Sequence, residues 1–189
     1  QGEMLIPELL DVIDERLAEQ GERVASTRRD ILSRLAPIAE RIYGEIAQDR
    51  ESVCLSYRSE LNSTHFVDIL AANRQKDMVM GFTTSGIHRD DIVFTMGDFP
   101  LRKYGSQGQQ RSASLSLKLG EAEIIKDLKG EHPIILLDDV MSELDSTRQN
   151  YILNKMTNKQ VFITCCEKET VSRLHAGKVF KLENGKVVD

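Results

Sequence analysis

The segment His132-Pro133-Ile134-Ile135-Leu136-Leu137-Asp138-Asp139 limits the fold more than any other stretch of this 189-residue chain. Four consecutive apolar residues behind a proline are too few for a helix and show no alternation. They read as a strand buried on both faces. Strands of that kind belong to parallel sheets, and parallel strands need helical crossovers. The surrounding pattern supplies them. Arg111–Leu128 is predicted as a helix with Leu115, Leu119 and Ile125 on one side, and Thr147–Met156 as a second. Gln160–Thr164 reads as another buried strand and Glu169–Leu174 as a short helix. A closing hairpin, Lys178–Leu182 with Lys186–Val188, turns about Asn184-Gly185. From residue 105 onward the order is helix, strand, helix, strand, helix, hairpin, which implies an α/β lobe with parallel central strands.

The first 48 residues read as helix. Pro7 suits a first helical turn. Leu9, Val12, Ile13 and Leu17, then Val24, Ile31, Leu35, Ile38, Ile42 and Ile46, recur at helical and heptad steps like a coiled-coil seam. Gly21 and Pro37 are expected to weaken or bend it. A helical hairpin packed on the domain and a projecting arm both satisfy that periodicity. Ser52–Glu60 alternates as a strand, and Ser63 or Thr64 is placed to cap a helix carrying Phe66, Ile69 and Leu70. Ile92–Met96 and Phe99–Arg102 form a hairpin about Gly97-Asp98. The expected division is a mainly helical arm over 1–80 and the α/β lobe over 81–189.

Composition excludes several classes. Hydrophobic residues make up 40% and charged residues 29%, enough for a real core. No run approaches the ~18 to 20 apolar residues of a membrane helix. The first residues are acidic and amphipathic, unlike a secretory leader. Three cysteines, with Cys165 and Cys166 adjacent, fit neither a disulfide framework nor a zinc spacing, so a reducing, cytoplasmic setting is expected. A net charge of −5 argues against a basic nucleic-acid coat. The charge is uneven: residues 1–50 carry −4, whereas residues 97–129, around Arg102, Lys103, Arg111 and Lys118, carry +2.

Two motifs carry chemistry. Asp138 and Asp139 stand at the C-terminal end of the apolar strand, where open α/β sheets bind ligands. A carboxylate there can hold Mg2+, directly or through water, and a second can polarise a water for attack on a phosphate. This is a Walker B pattern, although apolar runs ending in acids are common at strand ends. Val140-Met141-Ser142-Glu143-Leu144-Asp145 adds a Ser and an Asp just beyond. Upstream, Tyr104-Gly105-Ser106-Gln107-Gly108-Gln109-Gln110-Arg111 opens a helix. A hydroxyl, a glycine that lets backbone approach closely, and N-terminal N–H groups make an anion site. An ordinary helix cap with surface glutamines fits the same residues.

Together these segments resemble the signature motif and Walker B strand of SMC-like ATP-binding cassettes, above all those of the bacterial RecF family of DNA replication and repair proteins. Ser106–Arg111, Leu115–Leu119 and Leu136–Asp145 look like that family almost position by position. Gly86-Ile87-His88-Arg89-Asp90-Asp91 resembles its Gly-Pro-His-Arg-Asp-Asp segment, with Ile87 in place of Pro. The resemblance is sharp over 81–164 and weaker over the first 80 residues. It implies an α/β fold, the C-terminal lobe of an ABC/SMC-like P-loop ATPase head, preceded by a helical arm. It implies a cytoplasmic repair protein of the SOS response that binds ATP and Mg2+ and forms an ATP-dependent homodimer. Such a protein engages single- and double-stranded DNA at gaps and works with RecO and RecR to load recombinase. By the same resemblance Asp138 binds Mg2+ and Asp139 is the catalytic carboxylate. Ser106, Gln107, Gly108 and Gln109 touch the γ-phosphate of ATP held by the other subunit. Ser142 and Asp145 complete the ATP site at the dimer seam, and Thr164 stands near the switch position that many cassettes fill with His.

None of the twelve glycines completes a P-loop, G-x-x-x-x-G-K-[ST]; Gly177-Lys178 and Gly185-Lys186 are each followed by Val. The chain, which starts at Gln1, is therefore expected to be a C-terminal fragment that alone neither binds ATP or Mg2+ tightly nor hydrolyses ATP. The alternative is a non-catalytic DNA- or partner-binding module. Elsewhere, Arg89 and Asp90 are expected to pair structurally at a turn. His65, His132 and His175 are expected to be structural or surface residues, and Cys165 and Cys166 buried thiols.

Overall fold

A computed structural model describes residues 5–141, 144–155, 159–166 and 177–188. The chain forms two compact units. One comprises the chain up to Glu40 with Val53–Tyr104; the other comprises Arg41–Ser52 with the chain from Gly105 onward. The division differs from a break at residue 80: residues 81–104 group with the helical unit, and Arg41–Ser52 with the α/β unit.

Helix α1 (Leu5–Ile46) runs for 42 residues without interruption at Gly21 or Pro37, its part up to Glu40 belonging to the first unit and its last turn to the second. Gly21 has a packing purpose. The ring of Phe66 lies so close that a Cβ on Gly21 would sit 2.4 Å from Phe66 Cδ1, and one on Gly86 would sit 2.3 Å from its Cζ. Phe66 is thus clamped between two glycines and joins a core of Ala18, Ala25, Leu61, Ile69 and Leu70. It opens helix α2 (Phe66–Met80), which ends at Gly81 with φ 73°, the left-handed conformation that glycine tolerates. The expected Ser63 or Thr64 cap is not used. His65 precedes the helix and makes no side-chain cap. Instead Glu22, on α1, accepts the Phe66 N–H at 3.1 Å and lies 3.3 Å from His65 Nδ1. The backbone N–H of Phe66 is the main reason that the Glu22 carboxyl is held below the usual range.

Strands β1 (Cys54–Arg58), β2 (Asp91–Met96) and β3 (Phe99–Pro100) form an antiparallel sheet in that order, with Cys54 opposite Thr95 and Arg58 opposite Asp91. The hairpin about Gly97-Asp98 forms, but its second strand is shorter than predicted. Pro100 has no N–H to extend the ladder, and helix α3 (Leu101–Tyr104) begins at once, burying Leu101. Asp90 does not depend on Arg89. Its nearly buried carboxylate accepts Arg28 Nη1 at 2.8 Å and the Tyr57 hydroxyl, while His88 and Arg89 stay exposed. Arg28 Nη1 also donates to the Ile87 carbonyl at 2.7 Å, fixing the turn from α1.

The second unit contains helix α4 (Gln107–Lys129), strand β4 (Ile135–Asp138), helix α5 (Ser146–Lys155) and strand β5 (Val161–Thr164). A hairpin of β6 (Lys181–Glu183) and β7 (Lys186–Val188) follows. The helix predicted over 169–174 lies outside the described residues. β4 and β5 pair in parallel, Ile135 opposite Val161 and Asp138 opposite Thr164, as the alternation of elements implied. Burial of both faces does not hold. Ile135 and Leu137 are buried, but Leu136 is 73% exposed and its partner Phe162 54%. Among the described residues only two strands form this sheet, and one of its faces carries no cover. Likewise Cys165 is half-buried and Cys166 exposed, so they are not two buried thiols. Ile42, Tyr43, Ile46, Met141 and Ile152 are buried in this unit. The buried Ser112 and Ser116 hydroxyls donate back to the Gly108 and Ala113 carbonyls at 2.8 Å each, so their burial leaves no unmet donor.

Glu45 collects two cations and a hydroxyl, and so ties α1 to α5. Arg41 donates to it at 2.6 Å and also reaches Glu123 on α4, Lys155 lies at 2.7 Å, and the Tyr151 hydroxyl donates to it. Burial opposes ionisation of Glu45, but the donors from Lys155, Tyr151 and Arg41 outweigh it and hold the carboxyl at about 2. Burial, then the hydrogen bond to Glu45, pushes the Tyr151 phenol up.

Two outcomes follow. Gly21→Ala would gain helix propensity of up to about 1 kcal/mol, yet overlap with Phe66 should make the net change a loss of about 1–3 kcal/mol. Urea unfolding checks it, and unchanged or increased stability would count against the clamp. The Glu45 carboxyl is depressed in the fold, so its stabilisation is complete above the ordinary value of 4.5 and is lost as pH falls toward about 2. Unfolding midpoints measured between pH 5.5 and pH 3 should therefore fall more steeply for the native chain than for Glu45→Gln; parallel curves would contradict the network.

Candidate functional site

The turn into α4 is organised by its own side chains. Ser106 is the N-cap, with φ −62° and ψ 160°, and forms a capping box with Gln109. Ser106 Oγ accepts the Gln109 N–H at 3.2 Å, and Gln109 Oε1 accepts the Ser106 N–H at 2.7 Å. The Gln110 amide donates to the Gly105 carbonyl at 2.9 Å. Gln107 opens the helix beside them. The ordinary-cap reading of these residues is therefore fulfilled. It leaves Ser106 its hydroxyl proton to donate, at the positive end of a 23-residue helix.

Gly108 lies directly against a neighbour. A Cβ at this position would lie 2.5 Å from Arg148 Nη1. Arg148, largely buried, pairs with Asp145 Oδ2 at 3.3 Å and reaches Glu51 Oε2 at 3.7 Å. Glu51 in turn accepts the Tyr43 hydroxyl at 2.8 Å. Asp145 also accepts the backbone N–H of Arg148 at 3.0 Å, capping α5. The structure thus brings Gly108 and Asp145 together through one guanidinium.

Asp138, Asp139 and Thr164 form a second group. Thr164 Oγ1 donates to Asp138 Oδ1 and accepts the Asp139 N–H at 3.0 Å, and the Thr164 carbonyl accepts the same N–H at 3.2 Å. Asp139 has φ 50°, a left-handed conformation that turns the backbone at the end of the strand. Both carboxylates are exposed. Among the described residues no cluster of three or more His, Cys, Asp or Glu is arranged to hold a metal. One or two carboxylates with phosphate oxygens and water are nevertheless the usual donors for Mg2+, and Asp138 and Asp139 fit that set.

Gln149, which the sequence reading missed, holds Met141 and Leu144. Its buried side-chain amide donates to the Met141 carbonyl at 2.7 Å and the Leu144 carbonyl at 3.1 Å. The signal was its place three residues before the buried Ile152, on the inner face of α5. Arg148 and Glu51 were also missed, since an exposed and a buried arginine look alike in sequence. Ser142 lies outside the described residues. An open groove of about 450 Å³ runs between α4 and β4, lined by Arg111, Leu115, Lys118, Ile134 and Leu136 among others.

The fold is that of an SMC-type ATPase head lobe: a structure from work on ATP-driven dimerisation of SMC ATPases superposes with TM-score 0.54 at 12% identity, covering 86% of this chain and 87% of that one. Two solved structures of the recombination mediator protein RecF, one with ATP and one with ATPrS, match far better. Both give TM-score 0.78, with 36% and 35% identity over 96% and 95% of this chain and 50% of theirs. The DNA replication and repair protein RecF of Clostridium tetani is 37% identical over 97% of this chain and 53% of its own length. That of Agathobacter rectalis is 40% identical over 96% of this chain and 51% of its own length. No protein-family model matches. Over nearly its whole length the chain is similar to proteins named RecF, and it spans about half the length of the curated relatives that it matches. Among the described residues no helix is long and apolar enough to cross a membrane.

Replacing Gln149 with Leu keeps the volume and strands the Met141 and Leu144 carbonyls. The expected loss is about 1–3 kcal/mol in denaturant unfolding; an unaltered midpoint would show that the loop is held by other means.

Proposed function

We propose that this chain supplies the signature turn and the catalytic carboxylates of an ATP-dependent recombinational repair protein, whose remaining half supplies the phosphate cradle. The observation that carries this reading is the Thr164-linked pair Asp138–Asp139 in the same unit as a pre-capped helix N-terminus at Ser106–Gln109. Similarity to RecF structures named with ATP supports it. In this reading Asp138, oriented by Thr164, holds Mg2+, and bound Mg2+ neutralises phosphate charge. Asp139 orients and polarises the attacking water. Ser106, Gln107, Gly108 and Gln109 face the γ-phosphate of ATP carried by a second subunit, with Ser142 and Asp145 at the seam of that homodimer. Thr164, bonded to the Asp138 carboxylate and to the Asp139 backbone N–H, acts on phosphate through these residues rather than as a direct sensor. The whole protein engages single- and double-stranded DNA at gaps in the cytoplasm and works with RecO- and RecR-type partners to load recombinase.

A non-catalytic DNA- or partner-binding module is the second reading. One observation favours it: exposed Phe99 and Tyr104 stack edge-to-face with ring centres 5.5 Å apart, and Lys103 lies 5.0 Å from the Tyr104 ring. Aromatic faces beside a cation suit unpaired bases.

Mg2+-ATPase assays separate the two. The chain alone should show no turnover. Co-expressed with the half of the Clostridium tetani relative that it does not match, it should hydrolyse ATP in the presence of DNA. Asp139→Asn should cut that rate at least about 100-fold. Asn is well suited to the left-handed backbone there, so the fold is kept. Turnover by the chain alone, or activity indifferent to Asp139→Asn, would defeat the catalytic reading. DNA binding by the chain that ignores ATP would favour the module.

A further inference from the structure

Strand β5 ends at Thr164, and the next two residues are Cys165 and Cys166. Cys165 is half-buried, Cys166 is exposed, and neither is in a disulfide. Along a strand, neighbouring side chains point to opposite faces. These two lie past the last residue of the ladder, and the chain bends at Cys166, so strand alternation does not hold the thiols apart. The third cysteine, Cys54, belongs to the other unit.

An exposed thiol beside a second thiol is the arrangement that reacts with a hydroperoxide and then closes on itself. Cys166 faces solvent and is the attacking group. Its thiolate attacks one peroxide oxygen, the O–O bond breaks, and a sulfenic acid forms with release of water or an alcohol. The Cys165 sulfur then attacks the Cys166 sulfur. The S–S bond forms, the S–O bond breaks, and the hydroxyl leaves with the Cys165 proton as water. In all, two electrons and two protons pass from the thiols to the peroxide. The bridge is strained. Adjacent Cα atoms stand about 3.8 Å apart across a trans peptide, against at least about 4.4 Å in ordinary disulfides. The Cys165–Cys166 peptide must twist to close the ring, and the strain makes the bond easy to reduce. Such a bridge records an oxidant rather than stapling the fold.

The twist falls next to Thr164. The Thr164 hydroxyl donates to Asp138, and its hydroxyl and carbonyl oxygens both accept the Asp139 N–H. We propose that Cys165 and Cys166 are a hydroperoxide-sensitive thiol pair, whose closure to a vicinal disulfide shifts Thr164 and loosens its hold on Asp138 and Asp139. The bridge rests on the thiols and the Thr164 contacts alone. A reversible fall in ATP turnover on closure rests in addition on the catalytic reading above.

Intact mass and amide 1H–15N spectra of the chain, before and after equimolar hydrogen peroxide, test it. Cys54→Ser, at an exposed position, removes the third thiol. The treated chain should be about 2 Da lighter and not cross-linked. It should lose both thiols to maleimide and regain them with dithiothreitol. The Thr164 and Asp139 resonances should move on oxidation and return on reduction, with those of β1, β2 and α2 unmoved. Cys54→Ser/Cys165→Ser should instead gain about 16 or 32 Da, because its sulfenic acid has no thiol to close on. Its Asp139 resonance should stay in place. Cys54→Ser/Cys166→Ser, left with the half-buried thiol, should react at least about tenfold more slowly. The proposal is overturned if the thiol pair does not react, if it takes up oxygen without closing, or if it cross-links chains. A bridge that leaves Thr164 and Asp139 unmoved overturns it too. None of these readouts uses ATP, so failure of the catalytic reading is told apart from failure of this one.

Discussion

The guanidinium of Arg148 is the contact on which the candidate site depends. It fills the space that a side chain at Gly108 would need, pairs with Asp145, and reaches Glu51, which holds the Tyr43 hydroxyl. Three segments distant in sequence are thereby fixed in one unit: the start of α4, the loop before α5, and the end of α1. The cation also stands beside a helix N-terminus, which by itself is unfavourable. The carboxylates of Asp145 and Glu51 offset that repulsion and hold the guanidinium at the turn. A ligand at Ser106–Gln109 would meet a turn whose shape exists before it arrives.

The carboxylate end follows the same logic. Thr164 gives its hydroxyl proton to Asp138 and takes the N–H of Asp139, so β5 sets the orientation of both acids at the end of β4. The left-handed turn at Asp139 breaks the strand direction between the two acids. Asp138 continues the strand, whereas Asp139 begins the loop that Gln149 holds from below. Each element of the site is anchored by a neighbour that makes no claim on a ligand.

Legibility in the sequence tracked how local each cause was. The β4–α5–β5 order, the hairpin at Gly97-Asp98 and the helix start at Ser106 rest on short-range pattern and were readable. Gly21 looked like a weak point because the ring that requires it, Phe66, is far along the chain. The Asp90 partner was misplaced for the same reason: Arg28 lies on α1, and nothing near Asp90 announces it. The exposure of Leu136 and Phe162 was invisible because apolar runs signal burial in a completed sheet, and the described residues hold two strands of one. The seam read along α1 splits in two: Ile42 and Ile46 are buried as expected, but Leu9 to Ile31 are exposed, and there the helix packs by the adjacent stripe of Ala18, Ala25 and Leu32. Apolar spacing alone ranks large side chains above alanines.

The central claim is that Arg148 fixes the turn into α4 before any ligand is present, and amide 1H–15N spectra of the ligand-free chain test it directly. Arg148→Lys keeps the charge but loses the planar fork that lies against Gly108. The account predicts shifted resonances for Gly108, Gln109 and Glu51, with those of β1, β2 and α2 unmoved. Unchanged resonances at Gly108 and Glu51 would contradict it.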